Sequence, residues 1–593
     1  MANVDTVIEV ARPAKAHPAR TESYDLIIRG GMVVDGTGLP RRRVDIGIRD
    51  GRVARMAPLD HAKGREEIDA TGLVVSPGIV DVHTHYDPQI TFDPYATMSC
   101  YHGVTTVVAG NCGFSVAPCR KADRAALTDI FASVEDMDPA AMAAVRWDDF
   151  ETFPEFLDSL KGRLGVNFAC YVGHSNLRRW VMGDDCLTRT ATPQEVAEMA
   201  DLLAEAMEAG AAGLSSSHAP THLDVHGRPV PSRLSDEAEL SALVTVVGQH
   251  KSASITYLPK SAIGGMVQED LDLLIRLSHK AGVPIIIQGI GGKTKVDVPT
   301  AGWDWASKYL TEATEVGAPV YSLLVTRPLN RSVPLGPDNK HYRSVFSWQA
   351  MLELPVEERR ARLSDPAARE EMRFAVENYN RDPDLGTTLR PPAWDMVYVE
   401  SAVLEKNRPW EGRSIQSIAD DTGKAPGDIF LDLALEEDFA TTLAWRTDSP
   451  EWVAIVREAL LHPNMIAGTS DGGAHLAKDD GADWSSYFLR RWVIEEKLWT
   501  LEEGVRQITQ IPAALMGLQD RGTLRVGGWA DIMIFDPANI GLLRKEFTRD
   551  LPGNAGRWRS WAKGVKATIV NGQPIVLDNI ITDRLPGHIV SPS

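Results

Sequence analysis

Short runs of hydrophobic residues alternate with amphipathic segments along most of the chain. Eight runs rich in apolar and β-branched residues have the length and composition of buried strands. They lie at residues 78–85, 103–111, 166–174, 211–217, 252–259, 283–290, 318–326 and 464–472. Several intervening segments have helical spacing and end at a glycine just before the next strand, as at 192–210 and 270–282. This alternation predicts an α/β protein built on a closed, TIM-like (β/α)8 barrel.

The two ends of the chain have a different pattern. Residues 24–36, 44–57, 522–537 and 565–579 are typical of short antiparallel strands joined by glycine-containing turns. We expect both ends to build one small β-sandwich, with its N-terminal part at residues 24–77 and its C-terminal part at 521–593. Residues 1–23 show neither pattern and are predicted to be a flexible tail.

The expected barrel therefore covers residues 78–520. A doubly wound open sheet is the structural alternative, but no G-x-G-x-x-G turn opens a helix to favour it. The gap before the last strand is unusually long and contains charged helical patterns. Because long insertions in compact domains usually serve function, residues 330–450 are predicted to be a lid over the substrate.

Composition and charge exclude several classes of protein. The 593 residues are 44% hydrophobic and 24% charged, as in ordinary globular proteins. The net charge of −19 argues against nucleic acid or an anionic membrane surface as partner. The five cysteines form no C-x-x-C pair, and no leader or membrane-spanning run is found, so we expect a cytoplasmic protein. A homo-oligomer is left open.

Candidate metal ligands follow three of the predicted strands. His83 and His85 end the first strand, where period-two alternation puts both side chains on one face. Cys112 ends the second strand, and Asp471 ends the eighth, which a closed barrel brings next to the first. Taken singly, each has a structural alternative: the histidines can be buried polar residues, the cysteine a small buried side chain and the aspartate a helix cap. Their joint occurrence at three strand ends predicts a metal site. A carboxylate there can also accept a proton from a metal-activated water.

Several motifs together resemble the amidohydrolase superfamily, and specifically its N-acyl-D-amino-acid deacylase (D-aminoacylase-like) branch. GIVDVHTHYDP, SDGGAH and GTLRVGGWADIMIFDP are typical of the superfamily, whereas GNCG, GHSNLR and GLSSS are typical of this branch. The resemblance covers nearly the whole chain from Tyr24 onward. It implies a barrel flanked by a β-sandwich, Zn²⁺ near His83, His85, Cys112 and Asp471, and Asp471 as the general acid and base.

The chain departs from the family at two positions. Tyr257 stands where the family has a histidine after strand five, and Ile287-Gln288-Gly289-Ile290 replaces the strand-six histidine segment. We therefore expect one zinc ion, held by the four residues named above. His218, with His222 and His226 in the same loop, is an alternative source of ligands, although loop histidines are more often solvated.

Other polar residues near the strand ends are candidates for catalysis or substrate binding. His174 and Tyr257 are predicted to act on the reacting amide, with the Tyr257 hydroxyl as donor to an oxyanion. The predicted substrate-binding residues are Arg178, His218, Lys293, Arg327 and His475. For each, a structural or solvated role is the alternative.

The predicted function is metal-dependent hydrolysis of a small-molecule amide, with an N-acyl-D-amino acid as the expected substrate. Two alternatives are kept. One is a cyclic amide or imide hydrolase similar to hydantoinases, which shares the barrel and the metal chemistry. The other is a non-catalytic scaffold without metal.

Overall fold

The chain is a mixed α/β protein in a computed structural model. The structure describes residues 23–261, 266–288, 302–333, 335–336, 342, 345–379, 393–479 and 481–593. Within these ranges, no helix is both long enough and apolar enough to cross a membrane.

Eight parallel strands follow the order predicted from the sequence. They are β1 (Ile79–Asp81), β2 (Val104–Ala109), β3 (Asn167–Cys170, resuming at Val172–Gly173), β4 (Gly213–Ser217), β5 (Ser254–Leu258), β6 (Ile285–Ile287), β7 (Val320–Leu324) and β8 (Met465–Ala467). Each strand pairs in parallel with the next. β3 pairs with β2 through its first part and with β4 through its second, so its interruption joins two sheets.

The chain segments just beyond β8 and β1 lie side by side. The His85 N–H donates to the Gly472 carbonyl at 2.7 Å, and the Asp471 N–H donates to the His83 carbonyl at 3.2 Å. Thr84 and Gly472 form a parallel β-bridge at the same place. The carboxyl ends of the first and last parallel strands therefore meet.

Helices lie between the parallel strands and after the last one. The longer ones are Arg124–Val134, Phe153–Leu160, His174–Met182, Pro193–Glu208, Glu237–Val247, Gln268–Ala281, Trp303–Glu315, Pro450–Leu460 and Leu501–Ile508. Shorter helices span Tyr86–Gln89, Pro139–Met142, Trp484–Phe488 and Gln510–Leu515. The start of Pro193–Glu208 is encoded locally, because Thr192 and Glu195 form a capping box. A glycine is required just inside β4, where a Cβ on Gly213 would lie 1.7 Å from the Ser254 carbonyl oxygen.

The long insertion before β8 has a hydrophobic core of its own, centred on Trp348, Phe430 and Leu433. Its three-stranded antiparallel sheet has the order Asn330–Ser332, Thr442–Arg446, Val397–Ser401. The helices are Phe346–Leu352, Val356–Ser364, Pro366–Glu377, Ile415–Thr422 and Pro426–Glu436. One continuous charged pattern is split into two helices at Pro366, which begins the second helix with Asp365 as its cap.

Strands from both ends of the chain share one seven-stranded sheet. Its order is Ile580–Ile581, Gln573–Leu577, Val565–Val570, Ile532–Phe535, Val74–Pro77, Met32–Val33, Arg42–Arg43. A second sheet contains only N-terminal strands, in the order Arg52–Ala57, Asp45–Arg49, Ser23–Arg29, Lys63–Asp69. Apolar residues such as Ile46, Val75 and Ile534 pack between these strands.

A buried polar cluster joins the C-terminal strands to the parallel strands. Asp531 forms an ion pair with Arg521 and accepts hydrogen bonds from the Asn571 N–H at 2.8 Å and from Asn167 Nδ2 at 3.1 Å. Asn167 begins β3, so the carboxylate of Asp531 links the two regions. Asp531 and Arg521 are both buried.

We predict that Asp531→Ala lowers the free energy of unfolding by about 3–5 kcal/mol, because it leaves the Arg521 charge buried without its partner. Urea denaturation followed by circular dichroism measures this loss. Asp578→Ala is the control, since it removes an exposed carboxylate 2.7 Å from Lys566 and should cost less than about 1 kcal/mol. Equal losses for the two variants would contradict the prediction.

Candidate metal centre

His83 and His85 lie just after β1, and both side chains are fully buried. Ligand atoms of His83, His85 and Cys112 all lie within 4.8 Å of one another. Burial lowers the pKa of His85 well below its ordinary value, so its ring is neutral and has a lone pair available for a metal ion. The predicted His-x-His pair thus converges with the predicted cysteine.

Cys112 follows β2 and places its Sγ 3.7 Å from His83 Nε2. Burial raises the pKa of the Cys112 thiol well above its ordinary value, and the charges of Glu135 and Asp471 raise it further. A metal ion at this position would remove the thiol proton, because a coordinated cysteine binds as the thiolate.

Asp471 follows β8, with Oδ1 3.2 Å from His83 Nε2. Burial opposes ionisation of this carboxyl, but its hydrogen bond to His83 and the charge of that ring hold the pKa of Asp471 well below the usual range. Its side chain keeps 34% of its surface exposed, whereas the His83 side chain has none. Asp471 therefore contacts a candidate metal ligand and is at the same time accessible to solvent.

The buried ring nitrogens fit a metal ion. Within the part of the chain that the structure describes, His83 Nδ1 and both ring nitrogens of His85 have no hydrogen-bond partner. Buried polar atoms are normally paired, so unpaired nitrogens beside a thiol indicate ligands. Two imidazoles, a thiolate and a carboxylate are donors that Zn²⁺ prefers.

Left-handed backbone conformations cluster at the strand ends of this site. Cys112, Asp471 and His475 have φ angles of +59°, +50° and +53°. Such angles are uncommon for residues other than glycine, and strained residues of this kind concentrate at functional sites.

Gln288 and Tyr257 are the two positions at which the sequence departs from the family pattern. Gln288 contacts Cys112, and Tyr257 contacts His218 in the loop after β4. Gln288, after β6, donates from Nε2 to Cys112 Sγ at 3.3 Å. The Tyr257 hydroxyl, at the end of β5, lies 2.9 Å from His218 Nδ1, and His218 Nε2 lies 2.8 Å from Ser235 Oγ. A hydrogen-bonded amide and a tyrosine–histidine pair thus stand at the two positions where the resemblance predicts histidines. The role of Tyr257 as an oxyanion donor stays a prediction.

His174 and Arg178 belong to a buried network around Glu239. His174 Nε2 lies 2.7 Å from Glu239 Oε1, and its Nδ1 lies 2.9 Å from Ser216 Oγ. Arg178 forms an ion pair with the same carboxylate. His174 is the first residue of its helix, and Arg178 lies one turn further along the same helix. Both nitrogens of His174 are occupied, which favours a positioning role.

The loop histidines after β4 separate into three environments. His222 is buried, with Nδ1 2.8 Å from Ser217 Oγ. Burial and the charge of Arg233 lower its pKa to about 4, while a hydrogen bond to the Cys112 backbone opposes the shift. Burial similarly lowers the pKa of His218 to about 4. His226 is exposed and lies 3.4 Å from Asp129.

Three of the predicted substrate-binding residues, Arg327, Lys293 and His475, differ in their surroundings. Arg327 is buried and forms ion pairs with Asp479 at 2.8 Å and Asp483 at 3.1 Å, so its charge is already neutralised. Lys293 lies outside the described residues. His475 places its Nδ1 2.8 Å from Asp136. Substrate binding by these residues stays a prediction.

Sequence reasoning missed Glu135, which follows directly on the helix Arg124–Val134. Its carboxylate is buried, and Oε2 lies 3.5 Å from His85 Nε2 and 3.6 Å from His475 Nε2. In the sequence it is one acid of a Val-Glu-Asp-Met-Asp segment far from any predicted strand end. Nothing in that local pattern distinguishes Glu135 from Asp136.

The chain matches the amidohydrolase family over residues 66–330 and 449–576. The unmatched stretch between them coincides with the insertion before β8. A D-aminoacylase of Alcaligenes xylosoxydans xylosoxydans is 27% identical, over 96% of this chain and 98% of that protein. An uncharacterized protein of Mycobacterium tuberculosis is 30% identical over 88% of this chain and 86% of its own length.

A solved structure extends the similarity to the fold. The crystal structure of N-acyl-D-glutamate deacylase from Bordetella bronchiseptica, complexed with zinc and a phosphonate inhibitor, aligns with a TM-score of 0.62 and 25% identity. The alignment covers 96% of this chain and 100% of that one. The family resemblance predicted from the motifs is confirmed: this chain belongs to the amidohydrolase family.

Proposed function

We propose that this protein is a zinc-dependent hydrolase that cleaves the amide bond of N-acyl-D-amino acids. The observation that carries the proposal is the convergence of His83, His85 and Cys112 within 4.8 Å, with Asp471 beside His83. The relatives named D-aminoacylase and N-acyl-D-glutamate deacylase support the substrate class.

We propose one zinc ion, for which His83, His85, Cys112 and Asp471 are the ligands expected from the sequence. A zinc ion held by these residues would supply polarisation of the substrate carbonyl and activation of water near neutral pH. His83, His85 and Cys112 are buried, so solvent does not reach the site from their side. The partly exposed Asp471 is the group that can exchange protons with a substrate.

Asp471 is proposed to carry the proton through the reaction. Water adds its oxygen to the amide carbon, and its proton goes to Asp471 Oδ1, which is ionised at neutral pH because its pKa is held low. When the C–N bond breaks, Asp471 returns that proton to the leaving nitrogen. The products are a carboxylate and a free amino acid.

We also propose the finer architecture. The parallel pairing of β1 to β8 and the bridge between Thr84 and Gly472 support a closed (β/α)8 barrel over residues 78–520. The shared seven-stranded sheet supports a sandwich built from residues 24–77 and 521–593. The separate core of residues 330–450 supports a lid, and the Asn330 N–H, 3.3 Å from Asp479 Oδ2, ties it to the loop after β8.

Asp471→Asn should reduce kcat by about 10²–10⁴-fold, because the amide cannot accept the proton of the attacking water. Bound zinc should change little, since His83, His85 and Cys112 remain. Steady-state assays and metal analysis of the same sample measure the two effects. Asp158→Asn, which changes an exposed carboxylate beside Lys161, is the control. An active Asp471→Asn enzyme would refute the proton role.

Cys112→Ser should lower the zinc content of protein purified without chelator, because the hydroxyl is a poorer ligand than the thiolate. Cys119→Ser changes another buried cysteine, which is not part of the group formed by His83, His85 and Cys112, and should keep the wild-type content. Elemental analysis gives zinc per chain. Wild-type protein with less than about 0.3 zinc per chain, and no gain of activity on adding Zn²⁺, would favour the metal-free scaffold.

A panel of linear and cyclic amides should separate the deacylase from a ring-opening enzyme. We expect kcat/KM for N-acetyl-D-amino acids to exceed that for the L-isomers and for hydantoins by at least about tenfold, or 1.4 kcal/mol of transition-state binding. Release of the free amino acid or the ring-opened product is followed directly. Faster turnover of a cyclic amide would make the protein a hydantoinase-like hydrolase.

A further inference from the structure

Glu135 is a buried carboxylate that the proposed reaction does not use. It follows directly on the helix Arg124–Val134, and only 3% of its surface is exposed. Within the described chain, its Oε1 has no hydrogen-bond partner. The other oxygen, Oε2, lies 3.5 Å from His85 Nε2, which also lacks a hydrogen bond. A buried carboxylate with one unpaired oxygen thus lies beside an unpaired ring nitrogen at the edge of the metal centre.

The surroundings of Glu135 disfavour a lone negative charge. Burial raises its pKa well above the ordinary value, and neighbouring carboxylates, led by Asp471, raise it further, while the charge of Arg331 acts in the opposite direction. The same carboxylate in turn raises the pKa of Cys112. The Glu135 carboxylate therefore lies near both Asp471 and Cys112 in a buried space.

The separation between Glu135 and His85 has the size expected between two ligands of one metal ion, as does the separation between Cys112 and His83. Donor atoms at about 2.0–2.3 Å from a tetrahedral zinc lie roughly 3.3–3.7 Å apart. Glu135 Oε2 is 3.5 Å from His85 Nε2, and Cys112 Sγ is 3.7 Å from His83 Nε2.

A backbone hydrogen bond connects Glu135 to the loop after β8. The His475 N–H donates to the Glu135 carbonyl at 2.7 Å. The His475 side chain returns to the same segment, with Nδ1 2.8 Å from Asp136 and Nε2 3.6 Å from Glu135 Oε2. Asp471 lies on that loop, so the positions of the two carboxylates are coupled.

We propose that Glu135 is a carboxylate ligand of the metal ion held by His83, His85 and Cys112. The inference rests on the metal centre of the proposed function and deepens it. A carboxylate from Glu135 supplies a ligand from outside the strand ends, where Tyr257 and Gln288 have replaced the family's histidines. Asp471, the more exposed carboxylate, keeps its proposed role in proton transfer.

Zinc affinity of the full-length protein without substrate tests the proposal. Competition with a chromogenic chelator should show the zinc dissociation constant of Glu135→Gln raised by at least about tenfold. In the Co²⁺-substituted protein, the ligand-field absorption should change while the thiolate charge-transfer band from Cys112 persists. A dissociation constant within about twofold of wild type, with an unchanged Co²⁺ spectrum, would overturn the proposal.

Glu239→Gln is the matched control. It makes the same isosteric change in a buried carboxylate that also contacts a histidine, His174. Its zinc affinity should equal that of the wild type. If Glu239→Gln weakens zinc binding as much as Glu135→Gln does, the loss of affinity results from changing any buried carboxylate, and the proposal fails.

The unmodified protein provides a second test that does not depend on a variant folding. Anomalous diffraction at the zinc edge should place a Glu135 oxygen about 2.0–2.2 Å from the ion. Zinc bound with the Glu135 carboxylate beyond about 3 Å would overturn the inference. Because neither test uses substrate, a protein that binds zinc through Glu135 but hydrolyses no N-acyl amino acid would overturn only the proposed function.

Discussion

The meeting of the first and last parallel strands is the contact on which the site depends. Two backbone hydrogen bonds, from Asp471 to His83 and from His85 to Gly472, join segments from opposite ends of the chain. Each bond involves a candidate ligand or its direct neighbour, so strand pairing itself sets the separation of the donor atoms. Because the backbone positions are fixed by strand pairing, the choice of side-chain rotamers changes the positions of the donor atoms only slightly. Sites on rigid elements obtain a precise geometry in this way.

Local strain accompanies this arrangement. Cys112 and Asp471 have left-handed backbones, and each is followed within two residues by a glycine that is also left-handed. A Cβ on Gly473 would lie 2.7 Å from the His85 carbonyl oxygen, and one on Gly113 would lie 2.8 Å from the Ser217 nitrogen. The tight turns therefore bring the backbones of neighbouring strands together, and the unfavourable φ angles are offset by the surrounding packing.

Gln288 and Tyr257 stand at the two positions where the resemblance predicts histidines. Gln288 approaches the Cys112 sulfur as a hydrogen-bond donor, and Tyr257 pairs with His218 away from the cysteine. What the centre keeps is a thiol, two imidazoles and two carboxylates in a largely buried space. Such a set is electrostatically unfavourable without a cation, so metal binding and local stability should be tightly linked in this protein.

The sequence by itself determined the eight strands, the sharing of β-structure between the chain ends and four donors at strand ends. Hydrophobic periodicity and glycine positions are local signals, and the order of parallel strands follows from connection rules. Only the tertiary structure decided the roles of other residues. The charge of Arg327 is neutralised by Asp479 and Asp483, and Glu135 reaches His85 from the end of a helix. No local pattern encodes such contacts, because they depend on how helices and loops pack over the strand ends.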